Sequence, residues 1–131
     1  MKYHTYSFES LEVWQLARNL RLEIYLLTRT FPKEEQFNLT SQIRRAIGSV
    51  TANLAEGYGR ATDKDRAHFT NTAYCSALEV LDHIIASYDL KLVEEEEYSS
   101  LRVKMDELIN KLNAYYKYQV SRNSNLKNKL D

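Results

Sequence analysis

Three glycines and one proline are all that 131 residues contain, and that scarcity limits the fold more than any other feature of the chain. Hairpins and tight turns rely on glycine and proline for backbone angles that other residues avoid. A strand-rich fold is therefore disfavoured, and helices are the default.

The spacing of apolar residues agrees. Val13, Ala17, Leu20, Ile24, Leu27 and Phe31 recur at intervals of four and three, the seam of a helix packed lengthwise. Ser7 or Ser10 is placed to cap its start, and Pro32 to stop it. A second helix follows, with Thr40 or Ser41 as cap, Ile43, Ile47, Val50 and Leu54 facing inward, and Gly59 as a left-handed terminator. Its remaining positions, Ala46, Gly48, Ser49, Thr51, Ala52 and Ala55, are small enough for a neighbouring backbone to come close.

Thr62 or Asp63 can cap a third helix. Its main seam is Tyr74, Leu78, Leu81, Ile85, Tyr88 and Leu92, broadened by a second row of Phe69, Ala73, Ala77, Val80 and Ile84. Four acids, Glu94 to Glu97, suit the positive first turn of a fourth helix. Tyr98, Leu101, Met105, Leu108, Leu112 and Tyr115 continue it. The pattern predicts helices over about 8–31, 41–58, 63–92 and 95–120, with a fraying polar tail over 121–131. Short connectors make this an all-α, antiparallel up-down-up-down four-helix bundle, one domain spanning 1–131.

Eighteen basic and eighteen acidic side chains cancel, but unevenly. Residues 69–100 hold one basic and seven acidic groups, whereas residues 101–131 hold seven basic and three acidic. Such blocks can pair helices within a bundle or pair one copy with another, and a dedicated nucleic-acid binder is usually more basic overall. Without an apolar leader or an apolar run of about 18 residues, the expectation is a cytoplasmic protein away from the membrane. The single Cys75 excludes an internal disulfide, which fits a reducing compartment, and the Asn38-Leu39-Thr40 glycosylation pattern reads as chance.

Catalytic signals are weak. Di-iron bundles need paired Glu-x-x-His motifs, and the chain has only Asp65-x-x-His68 and the pair Glu79 and His83. Cys75 could share a helix side with His68 and His83, but no third group orients a base, and a packed, inert cysteine is the simpler reading. The expectation is a protein that is not an enzyme, with no catalytic residue, metal or cofactor.

Other residues point to binding. Arg44 and Arg45 stand in the opening turns of the second helix, where positive charge opposes the dipole, so another interaction must favour them. They fit either an ion pair with Glu9, Glu12 or acids of another chain, or a phosphate-contacting patch with Arg60, Lys64 and Arg66. Trp14, Leu22, Tyr25 and Leu26 fall outside the first seam and are candidates for an oligomer interface. Glu56 is four residues from Arg60, an ion-pair spacing, and Asn53 is either a buried register-fixing group or simply exposed.

Four blocks, in order and correctly spaced, resemble the bacterial four-helix-bundle family, also called the ribosomal-RNA intervening-sequence proteins. They are Phe8 to Gln15 (FESLEVWQ), Phe31 to Glu35 (FPKEE), Leu39 to Ala46 (LTSQIRRA) and Asn53 to Arg60 (NLAEGYGR), and the likeness covers roughly 6–120. The family often has proline where Thr51 stands and an acid where Ser10 stands. The resemblance implies a homo-oligomeric ring, a pentamer, with no established catalytic activity, acting as a scaffold or adaptor. It also implies a link to inserts in ribosomal RNA genes. A related accessory protein of diversity-generating retroelements works with a reverse transcriptase, and that similarity raises RNA or DNA, or a nucleic-acid enzyme, as the alternative partner.

Overall fold

Each predicted seam becomes one helix in the computed structural model, which describes residues 1–122. A 3-10 turn, Ser7–Ser10, leads into α1 (Glu12–Thr28), and a second such turn, Lys33–Glu35, precedes α2 (Leu39–Tyr58). Then come α3 (Asp63–Asp89) and α4 (Glu95–Ser121). Contacts between the helices run in opposite directions at every junction. Arg44 near the start of α2 meets Thr28 at the end of α1. Gly57 near the end of α2 meets Phe69 early in α3. The Tyr88 and Tyr98 rings stack at 4.1 Å between the end of α3 and the start of α4. Lys104 and Lys111 of α4 bond Glu23 and Glu12 of α1, both at 2.7 Å. The bundle is therefore up-down-up-down, with α1 and α3 at diagonal corners.

All four helices contribute to one core, in which Ile24, Ile43, Ile47, Ile84, Met105, Leu108 and Leu112 are fully buried. A smaller cluster of Phe31, Leu39 and Val93 closes the end where the α1–α2 and α3–α4 connectors meet. Fully burying one such side chain contributes roughly 1.5–3 kcal/mol.

The third seam is corrected by the structure. The fully buried row of α3 is Ala67, Thr70, Ala73, Ala77, Val80, Ile84 and Ser87, while Leu78 of the predicted seam is exposed. Small residues hold the centre because α2 comes close there. Tyr74 and Leu81 pack against the core from its edges.

Helix ends differ from expectation as well. α1 stops at Thr28, three residues short of the predicted end, and its start has no side-chain cap. The Ser10 hydroxyl donates to the Ser7 carbonyl and that of Ser41 to the Asn38 carbonyl, so neither accepts an orphan N–H as a cap would. Thr40 is buried within the first turn of α2. Of the predicted side-chain caps only Thr62 acts as one, its hydroxyl accepting the Asp65 N–H at 3.1 Å, while α2 ends at Tyr58 and Glu95 to Glu97 form the first turn of α4 as expected. Gly59 has a right-handed φ of −83°, and the left-handed residue is Lys91 at 62°, in the α3–α4 turn. Ser121 belongs to α4 and Arg122 ends it, while the rest of the predicted tail lies outside the described residues.

Candidate functional site

Where α2 crosses α3, the small residues also carry hydrogen bonds. The Ser49 and Ser76 hydroxyls meet at 2.9 Å across the seam, and the Asn53 amide donates to the Ser49 carbonyl at 2.8 Å and to its hydroxyl at 3.0 Å. Asn53 is thus a half-buried structural group, holding the serine that joins the two helices. A Cβ added to Gly57 would stand 2.6 Å from the Phe69 Cβ, so this glycine is what lets the helices touch.

The proposed basic patch divides into two. Arg44 is fourteen residues before Tyr58, the last of α2, a rise of about 21 Å, and Arg60 lies beyond that end. At the α2–α3 end, Arg60 bonds Glu56 at 3.3 Å, the expected local pair, and lies over the Phe69 ring at 4.4 Å. Arg66 donates to the Arg60 carbonyl at 2.8 Å, and Lys64 is exposed. Two of these three cations are already engaged within the chain.

At the other end, Arg44 pairs with neither Glu9 nor Glu12. Its Nε donates to the Thr28 hydroxyl at 2.8 Å, its Nη2 to the Tyr25 carbonyl at 3.3 Å, and its guanidinium lies 4.6 Å from the Tyr25 ring centroid. A charge that opposes the dipole of its own helix here complements the negative C-terminal end of α1. Glu9 instead accepts the Tyr6 N–H, and Glu12 is held by Lys111, whose ammonium their hydrogen bond raises above its ordinary range. Arg45 is exposed beside Arg44.

The outer surface of α1 is the most distinctive part of the molecule. Leu22 is 62% exposed, Leu26 50% and Tyr25 40%, three candidates for an interface forming one continuous ridge. Trp14, the fourth, is half-buried against the core, with Phe8 edge-on at 5.1 Å and the Arg18 guanidinium at 5.4 Å.

A cleft runs along each side of the ridge. On the α2 side it is lined by Arg18, Arg21, Leu22, Tyr25, Arg29 and Gly48, with no acid among them. Arg21 reaches across to the Thr51 hydroxyl at 2.9 Å, and a Cβ on Gly48 would meet nothing within 4 Å. On the α4 side the lining includes Glu23, Leu26, Glu96, Glu97 and Leu101. Glu23 is held by Lys104, but among the described residues no cation lies within ion-pair distance of Glu94 to Glu97. The basic groups that pair across helices are thus those of α4 with α1, not with the acidic block. Sequence reasoning picked out the ridge but not the arginines beside it, although Arg18, Leu22, Tyr25 and Arg29 follow the same intervals of four and three as the core seam.

Cys75 is exposed rather than packed, as is His68. His83 and Glu79 bond at 3.1 Å, and among the described residues no three His, Cys, Asp or Glu side chains group as metal ligands would. No helix among those described is long and apolar enough to cross a membrane.

The family model of the 23S rRNA-intervening sequence protein matches residues 9–114. No curated protein matches the chain. A crystal structure of a protein with unknown function from the S23 ribosomal protein family of Bacteroides thetaiotaomicron superposes with a TM-score of 0.72. The two are 20% identical, the match covers 80% of this chain and 98% of that one, and at this identity it is the fold that is shared.

Proposed function

The chain belongs to the 23S rRNA-intervening sequence protein family, and from that premise we propose that it is a non-catalytic subunit that assembles with copies of itself into a scaffold or adaptor. The observation that carries this reading is the ridge of Leu22, Tyr25 and Leu26. A bundle with a complete core gains nothing from displaying two leucines and a tyrosine side by side, whereas an interface does. The flanking charges of opposite sign supply orientation. Light scattering after size exclusion tests it: the expected mass is a multiple of 15.4 kDa, a pentamer being the multiple the resemblance favours, and a monodisperse monomer at micromolar concentration overturns it.

One observation favours a second reading, in which RNA or DNA is the partner. The α2-side cleft offers Arg18, Arg21 and Arg29 beside an aromatic ring and no acid. Phosphates and bases are held by that combination of groups. Its test is affinity for structured RNA against salt, where a flat slope or no binding at low salt removes it.

A further inference from the structure

The two clefts beside the α1 ridge carry opposite charge, and they lie on adjacent faces of the same bundle. Resting on the self-assembly reading, we propose that the basic cleft of one copy (Arg18, Arg21, Arg29, with Leu22 and Tyr25) receives the acidic rim of the next copy (Glu96 and Glu97, with Leu26). The occupant is a second copy of this chain, and the contact is heterologous, one surface against a different one.

Three observations favour a copy of the chain over a polyanion. Each cleft includes an exposed leucine, which a phosphate backbone would leave wet and a protein surface would cover. The rim has the charge that the cleft lacks, and the chain as a whole is neutral, as expected if it carries both halves of its own interface. Gly48 leaves open space at the floor of the basic cleft, where another helix can approach.

The geometry also selects an orientation and a closed assembly. If two α1 helices met antiparallel by a twofold rotation, basic cleft would face basic cleft. Parallel alignment brings basic against acidic. Adjacent faces of a four-helix bundle point roughly 90° apart, so each added copy turns the assembly by a similar angle. Repeated without a shift along the helix axis, such a contact closes into a ring instead of growing into a filament. The corner shared by the two faces is α1, which then lines the inside of the ring and buries the Leu22 and Leu26 ridge there.

Paired charge reversals on the full chain test this. R18E/R29E makes both flanks acidic, and E96K/E97K makes both basic. Each variant alone should be a folded monomer, with helical content by circular dichroism unchanged. Combined in one chain, R18E/R29E/E96K/E97K puts opposite charges back across every contact of a ring of any size, and this variant should recover the wild-type assembly, seen by light scattering and by native mass spectrometry. Because lysine opposes the dipole at the start of α4, E96Q/E97Q serves as the milder variant and should shift dissociation to at least tenfold higher concentration. A wild-type monomer would overturn both this inference and the self-assembly reading. Double variants that assemble like the wild type, or a folded R18E/R29E/E96K/E97K protein that stays monomeric, would overturn this inference alone. So would an R18E/R29E protein that stays assembled but loses affinity for structured RNA, an outcome that assigns the cleft to nucleic acid.

Discussion

The seam between α2 and α3 and the outer side of α1 both depart from an ordinary amphipathic helix surface, in opposite ways. Along the seam, large side chains give way to Gly57, Ala73 and Ala77, and a hydrogen bond between the Ser49 and Ser76 hydroxyls links the two helices. Small residues shorten the distance between axes, which removes room for anything but the partner helix already there. Outside α1, large apolar residues stand in solvent beside arginines and glutamates that form no ion pair among the described residues.

Substitutions can break that contrast, and the core sets its upper scale. Ile47→Ala, next to the seam and fully buried, should cost about 2–5 kcal/mol in denaturant unfolding. Gly57→Ala should cost about 1–3 kcal/mol even though alanine is the better helix former, because its Cβ would overlap Phe69 and the helices would have to move apart. Gly48→Ala is the counterpart on the α1 side. With nothing near its Cβ, it should stabilise the monomer by about 0.5–1 kcal/mol through helix propensity alone, reversing the sign seen at Gly57. If both glycine variants shift stability in the same direction, the seam is not closer packed than the cleft.

A double-mutant cycle of Ser49→Ala and Ser76→Ala measures the polar link in the seam directly. A coupling of about 0.5–1.5 kcal/mol is expected, and a value near zero would reduce the link to coincidental proximity. The smallest effect on folding belongs to L22E/L26E. Both positions are exposed in the single chain, so monomer stability should stay within about 0.5 kcal/mol while assembly is lost. Comparable destabilisation of the fold would mean that the ridge serves the bundle itself.

Local signals account for what was legible in the sequence. The α1 seam, the Thr62 cap and the exposure of Leu22, Tyr25 and Leu26 follow from spacing and residue type within one helix. What escaped depends on distances between helices. Arg44 found Thr28 and Tyr25 only because antiparallel packing brings the start of α2 beside the end of α1, a registration that neither segment encodes alone. Similarly, α3 offered two apolar rows, and the close approach that Gly57 permits on α2 decided that the smaller one faces inward. Gly59 closes α2 with a right-handed φ of −83°, and a left-handed φ falls instead at Lys91 in the α3–α4 turn.

The candidate site was half legible. Its apolar ridge was visible as residues outside the seam, and its charges were not, because the acidic rim lies on α4, far from the arginines in sequence. Hydroxyl-radical footprinting of the intact protein at micromolar concentration tests the central claim most directly, with Leu78 on the diagonally opposite α3 as the internal reference. Leu22 and Leu26 are more exposed than Leu78 in the single chain, at 62% and 50% against 43%. If copies cover the ridge, both should oxidise more slowly than Leu78 and regain their full rate in the E96K/E97K variant. Oxidation of Leu22 and Leu26 at or above the Leu78 rate in the wild type would show that α1 faces water, and would contradict the account.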